Sequence, residues 1–298
     1  RLSLGLIPNI KKIEDVMRNF NTKEKALRAG EIVVLGVPLD RNSSFCRGPE
    51  SAPQFIREAL FSESSNLWAE KMIDLGLMSG WRILDDLEFL DQGAEFAKIE
   101  SRINALLAKK ARVVSLGGDH SITYPIIKAY GKRYKNLSIL QLDAHPDLYD
   151  ELEDNRYSHA CPFARILEKK LVKRLVQVGI RTLTGHQHEQ AKRFGVEIIE
   201  MREIDRADEI KFDGPVYLSL DMDCLDPAFA PGVSHHEPGG MSTRAVLQII
   251  QDLRGQLVGA DIVEYNPERD PQRITGMVAG KLLKEIMGRM LEENSKNA

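Results

Sequence analysis

Paired cysteines, long apolar runs and a surplus of either charge are all missing from this chain. The three cysteines, Cys46, Cys161 and Cys224, are odd in number, far apart and outside any C-x-x-C spacing. That argues against a disulfide framework and a thiolate zinc site, and it fits a reducing, cytoplasmic setting. No apolar stretch approaches the ~20 residues needed to cross a bilayer, so no membrane partner is expected. Lys and Arg number 41 against 44 Asp and Glu, a net charge of -3 with no basic block, which leaves no electrostatic case for nucleic acid. No repeat, low-complexity tract or linker breaks the 298 residues. The chain opens on Arg1 rather than Met, which leaves open its native start and an organelle-targeting segment removed from it.

What the chain does contain is a series of short β-rich apolar runs with helix-length amphipathic stretches between them. The runs are "EIVVLGV" (31–37), "ARVVSLGG" (111–118), "LSILQLD" (137–143), "RLVQVGI" (174–180), "VEIIEM" (196–201), "VYLSLD" (216–221) and "VGADIVEY" (258–265). Near-continuous apolarity is what strands covered on both faces require, so the runs predict a doubly wound α/β domain with a mostly parallel sheet. Pro53 and the apolar spacing of Phe55, Ile56, Ala59 and Leu60 predict a helix over 50–61. A longer one is expected over 274–294, with Gly280 and Gly288 as mild weak points. Residues 1–30 read as an N-terminal helical arm, and residues 31–298 as one catalytic domain.

Ligands bind beyond the carboxyl ends of strands in open parallel sheets. Asp119 and His120 follow one run, Asp143, His145 and Asp147 another, Asp221 and Asp223 a third, and Glu264 a fourth. Residues two apart on a strand point the same way, so these groups would converge on one edge. Left bare, the carboxylates would repel and raise one another's pKa values. Four aspartates balance two divalent ions, and six ligands match a two-metal site with ions ~3.5–4 Å apart. Oxygen donors with two imidazoles suit manganese, with nickel, cobalt and iron as rivals. An isolated Asp-x-Asp at a strand end is more often a cap or turn, so it is the combination that carries weight. Asp119 reads as a cap rather than a ligand.

In order, "GGDHS" (117–121), "DAHPD" (143–147), "SHA" (158–160), "DMDCLDPAFAPG" (221–232) and "EYNP" (264–267) resemble the signatures of the ureohydrolase family of arginases and agmatinases. The stretch "SHHEPGG" (234–240) is similar to plant-type arginases, and the likeness spans residues 31–290. The resemblance implies a three-layer α/β/α fold, a binuclear manganese centre and hydrolysis of a guanidino group to urea and an amine. It also implies a homotrimer or homohexamer. Carried over by motif, His120, Asp143, Asp147 and Asp221 would hold one ion, and His145, Asp143, Asp221 and Asp223 the other. Independently of the family, Glu264 is placed to pair with a guanidinium, and His159 titrates in the range needed to relay a proton to the leaving amine.

The choice of substrate is less constrained. Animal arginases carry acidic residues after the strand equivalent to "LVQVGIR", whereas this chain has Thr182 and Thr184 there. Asn155, Ser158, His235 and His236 are candidate substrate contacts. Arginine is favoured by the "SHHEPGG" likeness, with agmatine, other guanidino acids and guanidine open. Two rival classes are a single-zinc deacetylase-type amidohydrolase, which would carry tandem histidines before the metal motif, and a non-catalytic binding relative, which would lack a ligand or Glu264.

Overall fold

Strands that are apolar on both faces need cover on both sides, and this chain supplies it by alternating strands with helices. The computed structural model describes residues 27–270 and 272–296. Along these residues run β1 (Ile32–Val37), α1 (Ala52–Leu60), β2 (Trp68–Ala69), β3 (Ile73–Asp74), β4 (Trp81–Leu84), α2 (Glu95–Ala108), β5 (Arg112–Gly117), α3 (Thr123–Arg133), β6 (Ser138–Leu142) and α4 (Pro162–Glu168). They are followed by β7 (Arg174–Ile180), α5 (Gly185–Phe194), β8 (Glu197–Glu200), β9 (Pro215–Asp221), α6 (Thr243–Asp252), β10 (Gln256–Val263) and α7 (Ile274–Lys296). The main sheet has the order β4-β1-β5-β10-β9-β6-β7-β8, and every neighbouring pair in it is parallel.

β1 shows how the layers arise. Ile32 and Val34 enter one core with α1, α6 and α7, while Val33, Leu35 and Val37 enter a second with α2, α3, α4 and α5. The period-two alternation of a strand thus feeds two cores across one sheet, giving the three-layer α/β/α fold.

Register places the future site. Leu142 of β6 pairs with Leu220 of β9, Leu220 with Ile262 of β10, and Ile262 with Leu116 of β5. These four adjacent strands therefore end at one level, and the polar residues that follow them emerge together. The double glycine of "GGDHS" permits the close packing there. A Cβ on Gly118 would stand 2.0 Å from the Leu39 carbonyl oxygen, and one on Gly117 would stand 2.5 Å from Ile122 Cδ1.

Three features differ from the sequence expectation. β4 was not foreseen, because it is four residues long and carries Arg82; that guanidinium is buried and paired with Glu31 Oε1 at 2.6 Å. The antiparallel pair β2 and β3 has only two residues a strand, too few to set a period. Gly280 and Gly288 are not weak points, since a Cβ at either would meet Ala59 Cβ at 2.9 Å or Ala69 Cβ at 2.7 Å. They let α7 approach α1 and β2 closely. Of the expected N-terminal arm, residues 1–26 lie outside the described residues, and Gly30 lies in a turn that leads into β1.

Candidate metal centre and active-site cleft

The level strand ends bring the acidic residues together. His120 Nδ1 stands 3.2 Å from Asp143 Oδ2, 3.0 Å from Asp147 Oδ2 and 3.1 Å from Asp221 Oδ2. His145 Nδ1 stands 2.9 Å from Asp223 Oδ2 and 3.6 Å from Asp143 Oδ1. Two clusters result, His120 with Asp143 and Asp147, and Asp143 with His145 and Asp223, each with donor atoms within 4.8 Å of one another. Asp143 belongs to both and turns one oxygen to each. Asp147 holds a left-handed backbone, φ 52°, which directs its carboxylate back toward His120.

The residues fit a divalent cation pair on two grounds. His120 Nδ1 is buried beside three carboxylate oxygens, yet none is aligned to accept a hydrogen bond from it. A bare lone pair facing a cation explains that better than an orphaned N–H. The charge balance agrees. Burial and the neighbouring Asp223 and Asp143 push the Asp221 carboxyl well above the usual carboxylate range. Burial opposes a charge on His145, yet Asp223 and Asp143 pull it up to about 12. A cluster that gathers protons this strongly has a place for positive charge.

Beneath the ligands runs a polar row that the sequence did not announce. Ser115, Asp261, Ser219, Gln141 and Gln177 are neighbours in register across β5, β10, β9, β6 and β7, and all are fully buried. Gln177 Nε2 donates to Gln141 Oε1 at 2.7 Å, and Gln141 Nε2 donates to Asp143 Oδ2 at 2.7 Å. Ser219 Oγ donates to Asp261 Oδ1 at 2.8 Å and lies 2.9 Å from His120 Nε2. An ionised Asp261 can only accept, so Ser219 spends its proton there and takes the one on His120 Nε2. That fixes the tautomer with Nδ1 unprotonated toward the carboxylates.

Above the cation cluster, Glu264 also has a left-handed backbone, φ 63°, a strained setting for a long side chain at a strand end. Its Oε1 accepts the His120 backbone N–H at 2.9 Å and lies 3.1 Å from His159 Nδ1. Its Oε2 is buried without a partner. Burial works against ionisation of Glu264, but His159 and the His120 N–H hold its carboxyl below the usual range. Burial likewise disfavours charge on His159, and Glu264 overrides it, lifting the imidazole to about 9. Asp119 is a cap, accepting from Ser121 N at 2.9 Å, and it also accepts from Asn42 N at 2.9 Å.

A cleft of about 330 Å³ joins these groups, with His145, Asp147, Asp221, Asp223, His159 and Glu264 on its walls. His235 lines it too, its ring centroid 5.1 Å from that of His159 and 5.9 Å from that of His145. Burial and then the His159 charge push the His235 imidazole down, toward a neutral wall. The other three candidate contacts are placed differently. Asn155 Nδ2 donates to Asn42 Oδ1 at 3.2 Å, and Ser158 N donates to Asn155 O at 3.3 Å, so both brace the loop before α4 and neither lines the cleft. His236 is exposed, with Nε2 2.7 Å from the Pro231 carbonyl. Thr182 and Thr184 do line the cleft, as does Glu237, which the sequence reading passed over. The Glu237 backbone carbonyl is held by Arg181 Nε at 2.9 Å and Nη2 at 2.6 Å, which fixes this residue at the cleft wall.

Fold and site define a three-layer α/β protein with a histidine-flanked acidic cation centre at the carboxyl edge of its sheet. A family model described as the arginase family matches residues 30–288. The chain is 45% identical over 278 residues to "Arginase 1, mitochondrial" of Oryza sativa subsp. indica, covering 86% of this chain and 81% of that protein. It is 34% identical to the agmatinase of Blochmanniella floridana, over 87% of this chain and 88% of that one. The solved arginase of Medicago truncatula superposes with a TM-score of 0.83 at 40% identity, covering 94% of this chain and 92% of that one. The chain belongs to the arginase family, and it is a hydrolase of that family with closer likeness to plant arginases than to the agmatinase.

Proposed function

We propose that this protein is an arginase, hydrolysing L-arginine to L-ornithine and urea at a binuclear manganese centre held by His120, Asp143, His145, Asp147, Asp221 and Asp223. The observation that carries the reading is the unpartnered, buried Oε2 of Glu264, on the wall of the cleft that also holds the cation cluster. A buried lone carboxylate oxygen calls for a cationic donor, and a guanidinium, always charged and rich in N–H groups, supplies one. Identity of 43–45% to plant arginases against 34% to an agmatinase supports arginine over agmatine. Oxygen-dominated donors favour manganese, with nickel, cobalt or iron as alternatives.

When bound, the ions would supply Lewis acidity that lowers the pKa of water and makes a nucleophile available near neutral pH. The chain's own groups do the rest. Glu264 holds the guanidinium against the cluster, so that its resonance-stabilised carbon meets the nucleophile at close range. His159, kept protonated at neutral pH by Glu264, gives the proton without which the amine cannot leave. Neutral His235 walls the cleft without adding a charge that would repel the substrate.

Metal-free protein reconstituted with manganese, nickel or zinc and assayed for urea with arginine, agmatine, guanidinobutyrate and guanidine tests the reading. Urea from arginine with manganese is the expected result, and none from any combination would refute it. The free thiols of Cys46, Cys161 and Cys224 support a reducing compartment, whether cytoplasm or organelle interior. Among the described residues no helix is long and apolar enough to cross a membrane. The family resemblance supports a homotrimer or homohexamer, and exposed Met72 and Leu77 are apolar side chains that association would cover.

A further inference from the structure

The loop after β1, "DRNSSFCRG" over residues 40–48, enters the site without contributing a cation ligand. Its base is closed by Asp40 Oδ2, which accepts Gly48 N at 2.7 Å. Its inner side is tied at Asn42. The Asn42 N–H donates to Asp119 Oδ2 at 2.9 Å, and Asn42 Nδ2 donates to Ser121 Oγ at 3.0 Å. The Asn42 carbonyl accepts the His159 backbone N–H at 3.1 Å. One residue thus links the loop to the segments that carry both His120 and His159. Two positions further on, Ser44 Oγ stands 2.9 Å from His159 Nε2, on the wall of the same cleft and on an exposed residue.

The two nitrogens of His159 therefore have different fates. Nδ1 lies 3.1 Å from Glu264 Oε1, a carboxylate oxygen that accepts, so its proton stays there in both charge states. The proton that comes and goes is the one on Nε2, and the side chain within hydrogen-bond distance of Nε2 is Ser44. In the neutral ring Nε2 accepts from the Ser44 hydroxyl. In the charged ring Nε2 donates, and the hydroxyl must turn its own hydrogen outward into the cleft.

We propose that Ser44 is a proton-relay residue, the hydroxyl through which His159 exchanges its Nε2 proton with the leaving amine. The inference rests on the reading of His159 as the proton donor. In the step, the Nε2–H bond breaks as a new Ser44 Oγ–H bond forms, and the original Ser44 O–H bond breaks as the N–H bond to the departing nitrogen forms. Serine ends as it began, His159 ends neutral, and the proton released by the attacking water restores the imidazolium. A hydroxyl is suited to this because it accepts and donates at once. The Asn42 ties hold it at the ring.

The test uses the manganese-loaded protein with Ser44→Ala, Ser44→Thr and His159→Asn, assayed for urea from arginine between neutral and alkaline pH. Ser44→Ala should lower kcat by about 10- to 100-fold, with KM changed far less. Added free imidazole should restore part of that loss, and Ser44→Thr should keep most of the activity. As a readout apart from turnover, the His159 Nε2 resonance of nitrogen-labelled metal-free protein should move in Ser44→Ala, because its hydroxyl partner is gone. If Ser44→Ala keeps kcat within two-fold while His159→Asn loses it, the inference fails and the relay reading of His159 stands. A loss indifferent to imidazole and not recovered by threonine would mark Ser44 as merely structural. If His159→Asn loses nothing, both fall.

Discussion

Asp261 touches no cation ligand, yet its replacement by Asn should weaken metal binding. Its carboxylate accepts from Ser219 Oγ at 2.8 Å, Thr123 Oγ1 at 2.9 Å and Tyr217 OH at 2.9 Å. Asn offers one oxygen where Asp offers two, and it adds an amide donor among three hydroxyls. Where that amide faces Ser219, the hydroxyl loses its acceptor and can donate instead to His120 Nε2. The imidazole proton then moves to Nδ1, the atom that faces Asp143, Asp147 and Asp221, and the ligand lone pair is lost. Partners of this kind typically govern 10- to 100-fold in metal affinity, or about 1.4–2.7 kcal/mol. The lost charge-assisted bonds add about 1–3 kcal/mol of destabilisation in the metal-free protein. At roughly 1.5–2 °C per kcal/mol for a chain of this size, the metal-free Tm should fall by a few degrees. Chelator competition with manganese gives the affinity, and calorimetry with and without chelator gives the stability. A folded Asp261→Asn protein that binds manganese within two-fold of the parent would refute the tautomer argument.

Three other outcomes follow from the same geometry. Asp221→Asn should have different consequences in the two states: metal-free, where burial, Asp223 and Asp143 already push this carboxyl well above its usual range, it should cost little, whereas with free manganese at about a hundred times the parent's Kd it should forfeit up to about 2.7 kcal/mol of metal-linked stability. An equal rise in Tm on metal addition in variant and parent would remove Asp221 from the ligand set. For His159, raised from about 6.5 when unfolded to about 9 when folded, the stabilising contribution should be complete below pH 6.5 and lost as pH rises through 9. Denaturant titrations of metal-free parent and His159→Asn should therefore differ most near pH 6, and a gap that widens toward pH 10 would contradict the sign. Glu237→Gln should lower kcat/KM for arginine and agmatine by roughly ten-fold more than for des-aminoarginine, which lacks the amine that the carboxylate at the cleft wall would pair with. Equal losses on all three substrates would deny Glu237 that contact.

The acidic centre could be read from the sequence because two regularities coincide in it. Near-continuous apolar runs mark parallel strands, so "DAHPD" and "DMD" could be placed at strand ends; the strand period, however, stops at Leu142 and Asp221, and it is turns, in which Asp143 accepts the His145 N–H at 2.6 Å and Asp221 the Asp223 N–H at 2.8 Å, that gather the side chains. Convergence then needed only that the four strands be neighbours ending at one level, which the pairing of Leu142, Leu220, Ile262 and Leu116 supplies. Ser44 had no such signal. A loop hydroxyl carries no period, and its partner His159 lies 115 residues away. Asn155 and Ser158 carry no such signal either: their hydrogen bonds to the loop, Asn155 to Asn42 among them, cross more than a hundred residues of sequence. The glycines of α7 were judged by helix propensity, whereas the close approach of Ala59 and Ala69 decides their value.

The buried polar row lies between these cases. Ser115, Gln141, Gln177, Ser219 and Asp261 each interrupt an apolar run, and singly each passes for a tolerated exception. A carboxylate inside a strand covered on both faces is not tolerable alone, because burying it without partners costs several kcal/mol, so Asp261 in "VGADIVEY" already required donors from adjacent strands. Ser219 and Tyr217 of β9 meet that requirement together with Thr123 of α3, and the amides of Gln141 and Gln177 form a separate branch that runs to Asp143. Their role follows from their level: one residue row below the ligands, Ser219 meets the back of His120, while Gln141 and Gln177 hold the Asp143 carboxylate and the carbonyls of His145 and Pro146. The polar exceptions in the apolar runs therefore belong to the metal site as much as the residues that face it.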